Sequence, residues 1–165
     1  GYSDEQISEI KKAASQIPVF FSWNMSLGIN LLVELAKKAT AILGDKFDIE
    51  IVEKHHNQKI DAPSGTALMI ANAINETRNN EMNYVYDRQS QRKKREDNEI
   101  GIHSVRGGTI VGVQQHIFPR IQVSITISHS AASKTVFAEG SVNAAIFSQP
   151  SVTTITFSSV SDLAT

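Results

Sequence analysis

The chain has 165 residues, of which 41% are hydrophobic and 20% charged, so it is long enough to bury a hydrophobic core. This composition excludes disordered, collagen-like and coiled-coil proteins. Sixteen basic side chains oppose seventeen acidic ones, for a formal net charge of -1, and no overall basic field exists to attract nucleic acid or an anionic membrane surface.

The sequence shows no signal for membrane insertion or export. No window reaches the roughly 18 apolar residues of a spanning helix, and the first thirty residues lack the segments of a signal peptide. The chain has no cysteine, which fits a reducing compartment. We therefore expect a soluble, cytoplasmic protein. The first residue is Gly1 rather than Met, which indicates a fragment or a processed form.

The first elements are predicted to be a helix followed by a short strand. Ser3–Gln6 has the form of a capping box, and apolar residues recur at helical spacing until Pro18 stops the run. Val19–Ser22 is an apolar run that predicts a buried strand.

A second helix is predicted over Leu27–Leu43, where the apolar residues form one face and Gly44 stands at the position of a C-terminal cap. Asn24 and Ser26 precede this helix. They fit either a helix cap or a ligand contact, and the cap is the simpler interpretation.

The next strand leads directly into a third helix. Phe47–Ile51 alternates apolar and acidic residues, which predicts a strand that ends near Glu53–His56. Helical spacing returns over Ala67–Ile74, so Ser64–Thr66 lies at a helix N-terminus. The two histidines and this helix start are therefore expected at the same edge of the fold.

Residues 77–99 are polar and are predicted to form one loop. The basic run Arg92–Arg95 is followed at once by Glu96 and Asp97, which favours a solvated loop over a nucleic-acid patch.

Three strands are predicted after this loop, separated by Gly107-Gly108 and by Pro119: Ile100–Arg106, Ile110–Phe118 and Arg120–His129. A helix over Lys134–Phe147 follows, and then a tail in which Ile155 and Phe157 add a short strand.

The densest group of polar residues lies between the predicted strand and the third helix. His55 and His56 titrate near neutral pH and can exchange protons, while Lys59 adds a positive charge and a second proton donor. The amides of Gly65 and Thr66 at the helix N-terminus are free to bind an anion. The pattern predicts a site for a substrate with two negative charges.

Each of these residues also has a structural explanation. Ser64 can cap the helix, Asp61–Pro63 can be a turn, and the histidines can be exposed and idle; their concentration favours the site. Arg106 beside Gly107-Gly108 either clamps a carboxylate through two hydrogen bonds or serves as a surface or ion-pair residue.

A metal site and a nucleotide loop are not favoured. Adjacent histidines on a strand point to opposite faces and no spaced His/Asp/Glu motif is present, so we expect no metal ion. The nine glycines form neither G-x-G-x-x-G nor a P-loop. A dinucleotide would therefore need another segment of protein.

One long motif carries a family resemblance. Glu53–Ala67 reads E-K-H-H-N-Q-K-I-D-A-P-S-G-T-A and strongly resembles the E-x-H-H-x-x-K-x-D-A-P-S-G-T-A motif of the bacterial dihydrodipicolinate reductases, also called 4-hydroxy-tetrahydrodipicolinate reductases. Supporting matches, which extend the resemblance over nearly the whole chain, are Asn24–Asn30, Ile100–Gly108, Ile110–Gly112, Ile127–His129 and Phe137–Gly140.

The resemblance implies a fold and a domain organisation. In that family an N-terminal Rossmann domain binds NADPH or NADH, and a C-terminal α+β domain with an open mixed sheet flanked by helices binds the substrate and builds a homotetramer. Gly1 would end the family's G-T-T-G segment, with the glycine-rich loop before it. Residues 1–25 would be a remnant of the dinucleotide-binding domain, 26–133 the substrate-binding and tetramerisation domain, and 134–165 a helix and tail packing on the dinucleotide-binding domain.

The resemblance also implies residue roles. His55 would be the acid/base group and Lys59 the proton donor, in a reaction that removes water from hydroxytetrahydrodipicolinate, delivers hydride from the nicotinamide and protonates the product to tetrahydrodipicolinate for diaminopimelate and lysine synthesis. The implied substrate-binding residues are His56, Ser64, Gly65, Thr66 and Arg106, and the implied cofactor-binding loop is Ser22, Trp23, Asn24 and Met25.

Some positions depart from the family pattern, and two other functions stay open. The departures are Trp23 for a small residue, Val113-Gln114 for Glu-His, Pro119-Arg120 in a usually acidic or Gly-containing stretch, Lys134 for Arg and Ser141 for Ala. The alternatives are a non-catalytic dicarboxylate-binding or oligomerisation module, and a metal-dependent hydrolase that uses the histidines.

Overall fold

The computed structural model describes residues 2–147, which form two compact units. Residues 2–30 and 135–147 belong to the smaller unit, and Leu31–Lys134 form the larger one. The predicted strand at Ile155 and Phe157 lies outside the described residues. In chain order the elements are α1 (Asp4–Ala13), α2 (Leu27–Leu43), a 3-10 turn (Gly44–Lys46), β1 (Ile49–His55), α3 (Gly65–Thr77), β2 (Asn83–Val85), β3 (Glu99–Arg106), β4 (Gly112–Arg120), β5 (Val123–Ala131) and α4 (Thr135–Phe147).

The larger unit is built on a five-stranded sheet with the strand order β2-β3-β1-β4-β5. The central strand β1 runs parallel to β3, which places His55 beside Arg106, and antiparallel to β4, which places Glu53 beside Gln114. Strand β2 is parallel to β3, and β5 is antiparallel to β4. The α+β class with an open mixed sheet, predicted from the sequence, is confirmed.

One face of the sheet carries the hydrophobic core. Along β1, Ile49, Ile51 and Glu53 are buried and alternate with less buried residues, as a period of two requires. Helix α3 packs on this strand with an apolar stripe that is shielded from water. The stripe consists of Ala67, Ile70, Ala71 and Ile74.

Two details of the predicted sheet are wrong. The polar segment 77–99 contains the strand β2, which has three residues and is too short to show a period in the sequence. Pro119 does not separate two strands, because β4 continues to Arg120 and the turn follows at Ile121–Gln122. The Pro119 carbonyl accepts a hydrogen bond from Asp48 N at 3.1 Å, so the strand remains tied at a residue that has no N–H to donate.

The predicted start of the first helix and both predicted boundaries of the second are confirmed, but α1 ends at Ala13 rather than at Pro18. Ser3 Oγ accepts from Gln6 N at 3.3 Å, and Ser3 N donates to Gln6 Oε1 at 2.9 Å, which completes the capping box of α1. Gly44 follows α2 with φ +60, the left-handed conformation in which glycine caps a helix. Among residues 2–147, no helix combines the length and apolar character needed to cross a bilayer.

The predicted strand over Val19–Ser22 is wrong. Only Phe20 makes an isolated bridge, because a strand needs a neighbour that bonds along its length. The Phe21 ring instead packs between two aromatic rings, with centroid distances of 5.9 Å to Tyr2 and 5.6 Å to Trp23. In the part of the chain that the structure describes, these ring contacts hold the segment in the smaller unit.

Candidate active site

The loop that joins β1 to α3 is fixed at both ends. Ser64 is the N-cap of α3, with its Oγ accepting from Ala67 N at 3.2 Å, so the predicted helix start is confirmed. At the other end, Gly107 N donates to the His55 carbonyl at 2.9 Å and Asn57 N donates to the Gly108 carbonyl at 3.2 Å. The connection between β3 and β4 therefore holds the loop in place.

Glu53 is the buried anion of this region. Its carboxylate is fully buried and accepts from both Nη atoms of Arg106, at 2.7 and 2.8 Å, and from Ser64 N at 3.2 Å. Burial opposes ionisation, but hydrogen bonds from Arg106, Ser104 and His55 outweigh it and lower the pKa of Glu53. We call Glu53, His55, Ser64 and Arg106 the Glu53 cluster.

His55 lies at the end of β1 with one ring nitrogen engaged. Its Nδ1 is 2.5 Å from Glu53 Oε2, and its side chain is 14% exposed. On the other side of the ring, a Cβ placed on Gly112 of β4 would lie 3.4 Å from Nε2. The missing side chain at Gly112 therefore leaves room beside Nε2.

Lys59 is paired with a carboxylate of its own loop. Its Nζ lies 2.7 Å from Asp61 Oδ1, and this hydrogen bond, assisted by the backbone N–H of Gly65, lowers the pKa of Asp61. An anion thus already sits between the lysine and the first amide of α3. The Asp61 side chain is more than half exposed, so another carboxylate can reach the same groups.

The remaining residues that were predicted to bind substrate lie around the same loop. Arg106 donates to the Glu53 carboxylate and, at 2.6 Å, to the Asp61 carbonyl. In this structure it is therefore the ion-pair partner of Glu53, and its contact with a substrate stays a prediction. The His56 carbonyl accepts from Lys59 N at 3.2 Å. Gly65 and Thr66 begin α3, and no atom lies within 4 Å of the position that a Gly65 Cβ would take.

Sequence reasoning missed two partners in the site. Glu53 appears in the motif but received no role, although its spacing of two from His55 places both on one face of β1. Gln114 was noted only as a departure from the family pattern. Its Nε2 donates to Ser64 Oγ at 3.3 Å, and it lies opposite Glu53 because β4 pairs with β1. These two strands are far apart in the chain, so no local sequence signal gives this register.

A second Glu–His–Arg group occupies the opposite face of β1. Glu50 accepts from His103 Nε2 at 2.7 Å, from Arg88 at 2.9 Å and from Arg95 at 3.1 Å. Arg95 belongs to the predicted solvated loop, in which Arg92 and Lys94 are exposed. We call Glu50, Arg88, Arg95 and His103 the Glu50 cluster.

The histidines are distributed over the sheet. His55 and His103 belong to different clusters, and His116 is fully buried on β4 with no hydrogen-bond partner at either ring nitrogen. Within residues 2–147, no three His, Cys, Asp or Glu side chains are arranged to hold a metal ion.

The predicted cofactor loop, Ser22–Met25, lies in the smaller unit. The Ser22 hydroxyl donates to the Asn24 carbonyl at 2.9 Å. A Cβ on Gly140 of α4 would run into the Met25 carbonyl, so the helix packs directly against the loop backbone. These contacts give the loop a fixed conformation.

Comparison with known proteins identifies the family. Residues 28–160 match the family model described as dihydrodipicolinate reductase, C-terminus. The 4-hydroxy-tetrahydrodipicolinate reductase of Caldanaerobacter subterraneus subsp. tengcongensis is 55% identical over 89% of this chain and 58% of its own length. The same enzyme of Clostridium botulinum is 51% identical over 87% of this chain and 57% of its own length.

A solved structure agrees with these sequence matches. The dipicolinate-bound dihydrodipicolinate reductase from Paenisporosarcina sp. TG-14 superposes with a TM-score of 0.64 at 31% identity, over 87% of this chain and 55% of that one. The chain therefore spans a little over half the length of the relatives it matches. It belongs to the dihydrodipicolinate reductase family and corresponds to the C-terminal part of those proteins.

Proposed function

We propose that this chain is the substrate-binding part of an NAD(P)H-dependent 4-hydroxy-tetrahydrodipicolinate reductase, an oxidoreductase that forms tetrahydrodipicolinate for diaminopimelate and lysine synthesis. The observation that carries the proposal is the meeting of His55, Lys59 and the N-terminus of α3 at one end of β1, in a chain of this family. Dipicolinate, bound by the structural relative, is a planar dicarboxylate and suits a site for two negative charges.

Substrate binding follows from the anion that the loop already holds. A substrate carboxylate takes the place of the Asp61 side chain on Lys59 Nζ and on the Gly65 amide, with Thr66 at the same helix N-terminus. His56 binds the substrate from the start of the loop. Ser64 fixes the helix start, and the guanidinium of Arg106 adds positive charge at this end of the strand.

Two groups manage protons in the proposed reaction. Lys59 Nζ gives the proton that completes the reduced ring, and His55 Nε2 acts as the acid/base group when water leaves the hydroxylated substrate. His55 is the last residue of β1, and Lys59 lies in the loop that follows, which backbone hydrogen bonds hold. This arrangement supports the proposal that proton transfer and carboxylate binding occur side by side.

The cofactor loop fits a planar ring. Trp23 presents an indole that is 62% exposed and is held edge-on by Phe21, and an exposed aromatic on a fixed backbone suits contact with a flat heterocycle. We assign this loop, Ser22–Met25, to the nicotinamide end of NADPH or NADH. When bound, the nicotinamide supplies the hydride.

The proposed enzyme acts in the cytoplasm as a homotetramer. Within residues 2–147, strand β5 is an edge of the sheet and carries exposed apolar side chains, among them Val123 and Ile125. Open apolar edges favour assembly because they leave backbone groups and hydrophobic surface unpaired. Light scattering on the purified chain tests the assembly, and a monomer at high concentration would contradict it.

The binding part of the proposal is tested by calorimetric titration with pyridine-2,6-dicarboxylate. We expect saturable binding to the chain and a loss of at least about tenfold in Lys59→Ala, because an ion pair with a desolvated carboxylate is worth more than about 1.4 kcal/mol. Lys54→Ala is the matched control. It also removes a lysine charge, but from the face of β1 that lies opposite to Glu53 and His55. Equal affinities in the two variants would remove Lys59 from the site.

Turnover is tested in a chimera that joins this chain to the remaining part of the Caldanaerobacter reductase. We expect NAD(P)H oxidation with the hydroxylated substrate, no detectable turnover in Lys59→Ala, and a larger loss of kcat than of affinity in His55→Ala. Binding without turnover in an otherwise folded chimera would identify a dicarboxylate-binding module instead.

A further inference from the structure

The hydrogen-bonding state of Glu53 constrains the chemistry of His55. Glu53 receives two hydrogen bonds from Arg106 and one from Ser64 N, and a carboxylate in this surrounding is ionised. An ionised carboxylate only accepts hydrogen bonds. The 2.5 Å contact between Glu53 Oε2 and His55 Nδ1 therefore requires a proton on Nδ1.

The position of the proton on Nδ1 determines which nitrogen can react. A neutral imidazole carries one proton, so Nε2 then has the free lone pair. Nε2 is the nitrogen beside Gly112, where the chain has no side chain to cover it. The nitrogen beside this glycine is thus the one able to accept a proton.

We propose that Glu53, held by Arg106, is the positioning residue of His55: it fixes the imidazole in the Nδ1–H tautomer and directs the Nε2 lone pair into the site. This inference rests on the proposed function only in taking His55 as the acid/base group. A carboxylate that orients a working histidine in this way is a common device in enzymes.

The same arginine links His55 to the loop of Lys59. Arg106 Nη2 donates both to Glu53 Oε1 at 2.7 Å and to the Asp61 carbonyl at 2.6 Å. One guanidinium therefore holds both the Glu53 carboxylate, which contacts His55, and the backbone carbonyl of Asp61, whose side chain pairs with Lys59. The groups of this contact network are the charged Glu53, Arg106, Lys59 and Asp61 and the uncharged Gly112 and Gln114 of β4.

Glu53→Gln gives a distinctive expected result. Its amide oxygen is best placed at the Oε1 position, where Arg106 Nη2 and Ser64 N both donate. The amide NH2 then takes the Oε2 position, so Arg106 Nη1 loses its acceptor and His55 Nδ1 faces a donor. His55 Nδ1 must then accept, and the proton moves to Nε2. The substitution is therefore expected to reverse the tautomer rather than simply weaken the site.

The test is nitrogen NMR of the imidazole rings in the chain without ligand, at a pH where His55 is neutral. We expect the protonated nitrogen of His55 to be Nδ1 in the wild type and Nε2 in Glu53→Gln. Glu50→Gln is the matched control, because it alters a Glu–His pair on the opposite face of the same strand, and it should leave the His55 signals unchanged.

A wild-type His55 protonated at Nε2 would overturn the inference, and so would an unchanged tautomer in a folded Glu53→Gln variant. The wild-type spectrum decides the question even if Glu53→Gln does not fold. Because no substrate is present, the result is independent of the calorimetric and turnover tests, so the positioning role and the proposed function can fail separately.

Discussion

The Glu53 and Glu50 clusters contain the same residue types on the same strand, yet they differ in geometry. Glu53 is fully buried and engages Nδ1 of a histidine at the strand end, whereas Glu50 is partly exposed and engages Nε2 of His103. The cations of the Glu50 cluster come from the segment before β3 and tie it to the sheet. The two clusters therefore differ in burial, in position along the strand and in the histidine nitrogen that the carboxylate contacts, and we propose a chemical role only for the buried one.

The largest expected difference between the clusters is in stability. Glu53→Ala leaves the guanidinium of Arg106 without its carboxylate in a largely buried place, and we expect a loss of about 3–5 kcal/mol in the free energy of unfolding. Glu50→Ala removes one of the two carboxylate partners of Arg88, which is one-third exposed and keeps its hydrogen bond to Glu99, and should cost about 1–2 kcal/mol. Urea unfolding of both variants measures the difference. Equal losses would show that the greater burial of Glu53 does not make its ion pair more important for stability.

A histidine without a carboxylate partner sharpens the comparison. His116 shares the buried face of the sheet with Glu53, opposite Ile51, and burial lowers its pKa to about 4. The unfolded chain binds this proton near pH 6.5 and the folded chain only near pH 4, so the free energy of unfolding falls by about 3 kcal/mol as the pH drops through that interval.

His116→Leu should remove most of this acid sensitivity. It should also stabilise the protein at neutral pH, because both ring nitrogens are buried without hydrogen bonds. Urea unfolding at pH 7 and at pH 4.5 gives the two values for each protein. If wild type and variant lose stability equally on acidification, His116 is not the acid-sensitive group.

A smaller effect tests the packing of the Glu50 cluster. Its carboxylate lies over Gly101 of β3, where an added Cβ would overlap it. Gly101→Ala must displace a carboxylate that several cations hold, and we expect a loss of about 1–2 kcal/mol. Gly107→Ala is the control, since open space surrounds that position. Thermal unfolding of the two variants should separate them by several degrees, and indistinguishable midpoints would contradict the close packing.

The smallest expected effect concerns the exposed ion pair beside the Glu53 cluster. Asp61→Asn removes the carboxylate that competes for Lys59, and it should tighten binding of pyridine-2,6-dicarboxylate by no more than about fivefold, since an exposed pair is worth up to about 1 kcal/mol. Calorimetry on the variant measures the change, and weaker binding would show that Asp61 supports the ligand instead.

The sequence predicts the scaffold of the site better than its electrostatics. The alternation of apolar and acidic residues up to Ile51 locates β1, and Ser64 locates the start of α3. Both are local signals, because a strand alternates between two faces and a helix cap lies next to the helix it caps. Strand β2 and the course of β4 through Pro119 depend on neighbouring strands, which no local pattern encodes. The Val19–Ser22 strand fails for the same reason, since apolar character alone does not supply a hydrogen-bonding partner.

The two glutamates show where sequence reasoning stops. Glu50 and Glu53 are both acidic residues on a predicted strand, and neither spacing nor composition tells which one is sealed from water. That distinction comes from tertiary partners that lie 53 positions away for both His103 and Arg106. His55 and Lys59 could be proposed from the sequence because the motif places them close together in the chain, whereas Arg106 and Gln114 reach the site from β3 and β4.

The pairing of charges around the loop has a consequence for ligand entry. Lys59 with Asp61 and Arg106 with Glu53 sum to zero, so a dicarboxylate dianion brings two negative charges to a balanced site. Such a ligand meets cations that already have carboxylate partners, Asp61 on Lys59 and Glu53 on Arg106. Its entry by the proposed route would therefore be an exchange of one carboxylate for another on Lys59, rather than the filling of an empty positive site.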